Sequence, residues 1–278
     1  MVTEVENLHQ VIKWFGDKGK PVIVALSGGV DSGVVALAAK KALGDDVIAV
    51  TANYNTLSYD ELSSAKNVAR ELNISHRIVT YDELANPLFV KNDRSRCYHC
   101  RTELSSHLIE EARKLSANLI VDGTQIDDLR DVRPGIKALK EHGIRSPLVE
   151  CGLNKKQIRA IALRFSLSVF NRPSNSCLAS RIPVGMPVTY HSLKRIENSE
   201  IAVKAVFDVS QVRVRDHGDI ARIEVPNEEL KKFFDPTKLN ILNIQIRKHG
   251  FKYVAIDIGG YSSGNLSILD NSRGIKKV

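Results

Sequence analysis

Short apolar, β-branched runs alternate with amphipathic stretches over residues 1–170. Val22–Leu26, Val47–Asn53, Ser75–Tyr81 and Asn118–Asp122 read as strands, with Ser146–Val149 as a candidate fifth; Gly33–Leu43, Ser58–Leu72, Arg101–Leu115 and Lys155–Arg164 carry apolar residues at helical spacing. Alternation of this kind predicts an α/β fold, a doubly wound and mostly parallel sheet with helices on both faces. Ligands of such sheets collect at the carboxyl ends of the strands near the topological switch point. The segments after Leu26, Val50 and Val121 are therefore expected around one crevice.

Periodicity stops at Asn171. NRPSNSCLASRIPVGMPVT, residues 171–189, holds three prolines, a glycine and three serines and reads as a linker loop. Beyond it the pattern predicts a small α+β domain over 190–278: a helix from Tyr190 to about Val206, strands Gln211–Asp216 and Asp219–Val225 around a His217-Gly218 turn, one or two helices between Asn227 and His249, and a strand Tyr253–Ile258. There is no internal repeat or low-complexity segment. The tail after Tyr261, rich in Ser, Gly and Asn, is expected to fray.

Length and composition agree with two domains: 278 residues, 43% hydrophobic and 26% charged, are ordinary for a globular protein. The first residues carry acids in place of a basic stretch and an apolar core, and no apolar run approaches the ~18 residues of a membrane span, so a cytoplasmic protein without a membrane partner is expected. A formal charge of +8 favours anionic partners such as nucleotides, phosphorylated metabolites or RNA. The lysine pairs Lys40-Lys41, Lys155-Lys156, Lys231-Lys232 and Lys276-Lys277 read as solvated faces, and no RNA-binding module with stacking aromatics stands out. Four cysteines in a chain read as intracellular point to metal or catalytic roles before disulfides.

The chemistry begins at PVIVALSGGVDS. Gly28 and Gly29 let the backbone approach a polyanion, Ser27 and Ser32 supply hydroxyls, and the following helix turns its amide-rich N-terminus toward phosphate. The loop resembles the pyrophosphate-binding PP-loop of ATP pyrophosphatases; it lacks the Gly-Lys-Ser/Thr of a Walker A loop. Asp31 would repel a triphosphate unless a cation bridges them, and Mg²⁺ suits that position. DGTQIDDLRDVRPG follows the strand ending at Val121; Gly123 allows close approach to a nucleotide, and Asp127, Asp128 and Asp131 are candidates for metal, ribose or substrate, or for helix capping. Cys97 and Cys100 form a C-x-x-C, Cys177 stands in the linker, and His99 offers a further zinc ligand. Cys151 reads as a small buried residue. Arg213 and Arg215 share one strand face, either as an anion clamp or as a salt-bridged surface with Asp216, Asp219 and Glu224, and Arg222 and Glu224 share a face of the next strand in the same way.

Taken together, SGGVDS, DGTQIDDLRDVRPGIKA, RPSNSCLASRIPVG and VRVRDHGDIARIEVP closely resemble the LarE-type ATP-dependent sulfur transferases over nearly the whole chain. The resemblance implies a HUP-like PP-loop domain, and a reaction in which ATP adenylates the carboxylates of pyridinium-3,5-biscarboxylic acid mononucleotide for conversion to thiocarboxylates in nickel-pincer cofactor synthesis. It implies ATP contacts at Ser27, Gly28, Gly29, Asp31 and Ser32, a nucleotide neighbour in Gly123, substrate-phosphate contacts at Arg213 and Arg215, and acidic substrate or metal positions at Glu200 and Glu224. Cys177 corresponds to the sulfur-bearing cysteine, and Arg181 is expected to steady a carboxylate or the leaving AMP. The added Cys97 and Cys100 resemble relatives in which three cysteines hold a [4Fe-4S] cluster carrying transferable sulfide; a sacrificial Cys177 and a zinc or redox pair are the alternatives, as is a tRNA thiolase using the same cluster chemistry. Sulfide or another sulfur donor and symmetric homo-oligomers, hexamers among them, belong to the same expectation.

Overall fold

The computed structural model describes residues 3–16, 18–130 and 134–261, so Asp131 and the tail after Tyr261 lie outside the described residues. The chain divides into two compact units, one of residues 1–89 and 94–175, the other of 90–93 and 176–278.

In the first unit the elements run α1 (Glu4–Phe15), β1 (Val22–Ala25), α2 (Val30–Leu43), β2 (Val47–Asn53), α3 (Tyr59–Glu71), β3 (Ser75–Thr80), α4 (Pro87–Val90), α5 (Arg96–Lys114), β4 (Leu119–Val121), α6 (Pro134–Glu141), α7 (Pro147–Glu150) and α8 (Lys155–Arg164). The four strands are parallel in the order β3-β2-β1-β4. The chain steps outward from β1 to β3 and then returns to the other side of β1, so the switch point lies between β1 and β4. Period two divides β1 between two cores: Val22 and Val24 join α1, α2 and α8, whereas Ile23 joins Leu104, Leu108 and Leu139 of α5 and α6. Helices cover both faces, as the alternating pattern predicts. α2 is buried almost all round, which its VVALAA run allows.

Two local expectations change. Ser146–Val149 is not a strand: only Arg145 bridges Val121, and Pro147, which lacks a ladder N–H, opens the short helix α7. The helix expected from Arg101 begins at Arg96, which puts Cys97 and Cys100 within its first five residues.

The second unit contains α9 (Tyr190–Phe207), β5 (Arg213–His217), β6 (Ile220–Glu224), α10 (Pro236–Lys248) and β7 (Tyr253–Ile256). β5 and β6 form a hairpin, and β7 adds parallel to β6. Val214, Ala221 and Ile223 point one face of this sheet into a core with Val203, Leu242 and Ile246 of the helices. The other face carries Arg213, Arg215 and Glu224, all buried.

Candidate functional site

The loop after β1 is cross-linked by Ser32, whose Oγ accepts from Ser27 N (3.2 Å), lies 3.1 Å from Ser27 Oγ and donates to Gly29 O (3.2 Å). Behind it, Thr51 Oγ1 donates to Leu26 O (2.7 Å) and lies 2.8 Å from His76 Nε2, tying the end of β1 to β2 and β3. The two glycines do different work. Gly28 has φ +78°, and a Cβ there would stand 2.4 Å from Glu61 O and 2.8 Å from Ala65 N, so the close approach of α3 requires it. Gly29, with φ −89°, has an ordinary backbone, and a Cβ there would meet only Ser27 Oγ, at 3.6 Å. Among the described residues nothing demands a glycine at 29; the open space sits at the N-terminus of α2, where an anion is favoured. Gly123 serves the loop from the far side, since a Cβ would lie 2.6 Å from Ser32 N.

Asp31 projects from the first turn of α2 and makes a 2.5 Å ion pair with Lys155 Nζ at the start of α8. Its Oδ1 is buried without a hydrogen-bond partner. Burial pushes the carboxyl above its usual range, and Lys155 opposes that shift. Lys155 is a site residue that the charge pattern hid among solvated lysines: helix phase alone separates it from Lys156. Its backbone N–H donates to Asp127 Oδ2 (2.9 Å), while Asp128 Oδ2 accepts from Gln125 N (3.2 Å), so these acids brace the turn of residues 126–130 and the start of α8. Asp122, at the end of β4, accepts from Ser146 Oγ (2.6 Å).

Cys97 is exposed and Cys100 half-buried, three residues apart at the start of α5 and so on one face of the helix. Gly135 lets α6 approach this turn, since a Cβ there would lie 3.2 Å from Cys97 O. His99 Nε2 lies 3.0 Å from Ser95 Oγ. Cys151 packs against the core of α1, α2 and α8, and burial raises its thiol pKa. Among the described residues, no group of three or more His, Cys, Asp or Glu side chains is arranged to hold a metal ion.

Glu83, fully buried beyond β3, holds the loop after β2 by accepting from Thr56 N at 2.7 Å. Burial is the main reason its carboxyl is pushed up to about 7, with Glu103 and Asp82 adding repulsion. The folded chain therefore retains a proton that the unfolded chain releases near 4.5. The contribution of this group is fully present below that pH and is lost as pH rises through about 7, a fall on the order of 3 kcal/mol. Denaturant titrations between pH 4.5 and 8 should show this decline in the wild type and its loss in Glu83→Gln.

In the second unit, Cys177 immediately precedes the 3₁₀ turn Leu178–Arg181. Arg181, fully buried, donates through Nε to Glu200 Oε1 (2.8 Å) and through Nη2 to Oε2 (3.1 Å); its Nη1 reaches Cys177 O (3.0 Å), Ser180 Oγ (3.2 Å) and Ser176 O. Glu200 Oε1 also accepts from Val214 N at 3.1 Å. These contacts make the pair a brace for the cysteine loop. Arg215 donates to Glu224 Oε2 from Nε (3.0 Å) and Nη2 (2.8 Å) and to Ser180 O from Nη1 (2.9 Å), while Arg222 pairs with Glu224 Oε1 (3.1 Å) and with Asp257. Arg213 donates to Val212 O (2.9 Å) and lies over the Tyr261 ring. Burial, then the positive charge of Arg181, pushes its guanidinium down to about 10. Arg181 and Arg215 are each matched by a buried carboxylate, Glu200 and Glu224.

Residues 17–92 match the family model described as asparagine synthase. The chain is 39% identical over 265 residues to an uncharacterized protein of Synechocystis sp., a match covering 95% of this chain and 97% of the relative. It is 33% identical over 247 residues to the pyridinium-3,5-bisthiocarboxylic acid mononucleotide synthase of Lactiplantibacillus plantarum, covering 88% of each chain. More distantly, it is 26% identical over 199 residues to the tRNA-specific 2-thiouridylase MnmA of Rickettsia peacockii, covering 58% of this chain and 54% of the relative.

Proposed function

The chain belongs to the LarE-type family of ATP-dependent sulfur transferases, and on that footing we propose that it adenylates substrate carboxylates and converts them to thiocarboxylates, with pyridinium-3,5-biscarboxylic acid mononucleotide as substrate. The observation that carries this reading is the loop of residues 27–32 with its open Gly29 and half-satisfied Asp31, in a chain similar to that synthase over 88% of its length.

A carboxylate oxygen of the substrate attacks the α-phosphorus of ATP; the bond from that phosphorus to the bridging oxygen breaks and pyrophosphate leaves. The α2 N-terminus and the Gly29 amide hold the departing phosphates, and Lys155 neutralises their charge. Asp31, with its unpartnered Oδ1, is suited to Mg²⁺, which would screen the triphosphate. In the second half, a sulfide sulfur attacks the acyl carbon, the bond to AMP breaks, and thiocarboxylate, AMP and a proton result. Arg213, with Arg215 and Glu224 bracing the same face, receives the substrate phosphate, while Arg181 and Glu200 hold the Cys177 loop in shape. Cys97, Cys100 and Cys177 have the donor chemistry of a three-thiolate [4Fe-4S] site. When bound, such a cluster would present exogenous sulfide as a nucleophile. Inorganic sulfide or a sulfur-donor protein is the source, and a symmetric homo-oligomer is the working assembly.

The test follows ATP labelled at the α- and γ-phosphates in the presence of the biscarboxylate mononucleotide and sulfide. AMP, pyrophosphate and a product in which sulfur replaces oxygen are expected. Gly29→Ala should remain folded and lose ATP cleavage, because its Cβ occupies the phosphate cradle and strains nothing. ADP and phosphate as the sole products would sink the reading, and sulfur appearing in tRNA in place of the mononucleotide would favour the thiolase alternative.

A further inference from the structure

We propose that Tyr261 is a positioning residue of the second unit's phosphate site, its ring holding the Arg213 guanidinium where it receives the substrate phosphate. This rests on the anion role of Arg213 proposed above.

The Arg213 guanidinium carbon lies 5.4 Å from the centre of the Tyr261 ring, within the range of a cation–π contact. Arg213 is 4% exposed. A guanidinium buried this deeply, with Arg181 as a neighbouring cation, pays for desolvation and for repulsion, and a ring quadrupole offsets both without consuming an in-plane N–H donor.

The ring is delivered by a built turn. Tyr261 N donates to Val225 O (2.8 Å) at the end of β6, and Gly260 N donates to Asp257 O (3.1 Å). Asp257 is in turn held by Arg222, which also pairs with Glu224, the partner of Arg215. Gly260 has φ +67°, and a Cβ there would lie 1.8 Å from Asn227 Oδ1 and 3.0 Å from Val225 O, so only glycine closes the turn in this form. The segment from Asp257 to Tyr261 thus joins the arginine face at two places, once by charge and once by its aromatic ring.

Calorimetric titration of the full chain with nicotinic acid mononucleotide, a pyridinium mononucleotide carrying one carboxylate, tests this. Tyr261→Ala should bind about three- to tenfold more weakly, Tyr261→Phe should stay within about twofold of wild type, and Tyr261→Ala should cost nothing further in an Arg213→Ala background. Gly260→Ala, which displaces the turn without touching the ring, should copy Tyr261→Ala, and the unfolding midpoint of Tyr261→Ala should stay near that of wild type. Undiminished binding by Tyr261→Ala, or the same loss with and without Arg213, overturns the role assigned to Tyr261 while leaving the phosphate site standing. Unchanged binding by Arg213→Ala removes that phosphate site itself and the inference with it.

Discussion

Replacing any one of Cys97, Cys100 and Cys177 by Ala is expected to bleach the iron chromophore of anaerobically reconstituted protein and to stop sulfur transfer, because a cubane left with two protein thiolates is poorly held. ATP cleavage should survive in Cys97→Ala and Cys100→Ala, since the hydrogen bonds that shape the loop after β1 run among Ser27, Gly29 and Ser32. Intact protein supplied with sulfide should complete several turnovers and keep the full mass of Cys177. The competing chemistry spends Cys177 itself. It expects Cys97→Ala to retain a single round of transfer, and mass spectrometry to find a loss of about 34 Da, one H₂S, at position 177 when the thiolate leaves by elimination. Seeing that loss in reconstituted protein would exclude the cluster route.

Arg181→Ala should be the most damaging single change in the second unit, at roughly 3–5 kcal/mol of its stability, since it strands Glu200 as a buried carboxylate and removes the donor to the Ser176 and Cys177 carbonyls. Arg181→Lys should recover little of this, because a single ammonium cannot span both carboxylate oxygens and the loop carbonyls at once. Denaturant unfolding followed by far-UV circular dichroism measures the loss. Removing both partners in Arg181→Met/Glu200→Gln should cost less than Arg181→Ala alone, as expected when an uncompensated charge is the main penalty. Equal or greater loss in the double variant would mean that the loop contacts, and not the stranded carboxylate, dominate.

The sequence by itself determined what depends on residues close together along the chain. Strand and helix periodicity predicts the doubly wound sheet, with boundaries shifted by a few residues at most elements. SGGVDS between a strand and a helix marks the phosphate loop, because two glycines, two hydroxyls and a helix N-terminus within six residues already make an anion cradle. The shared face of Arg213 and Arg215 follows from period two. Where the local pattern misleads, a single local feature explains it: Pro147 turns an apolar run into a short helix, and the charged first turn of α5 hides its true start at Arg96.

What the tertiary structure alone decided is which charge meets which. Lys155 and Asp31 are separated by 124 residues, and nothing in KKQIR distinguishes a lysine that faces the phosphate loop from one that faces water until α8 is packed against α2. Glu200, a helical acid in sequence, becomes the counter-ion of a fully buried arginine only because α9 passes the Cys177 loop. Gly28 and Gly29 look equivalent in the chain, yet one answers to the backbone of α3 and the other to empty space. The physical reason is common to all three. Periodicity reports which side of an element is apolar, whereas ion pairing and close backbone approach depend on distances set by other elements, and those distances exist only once the chain has folded.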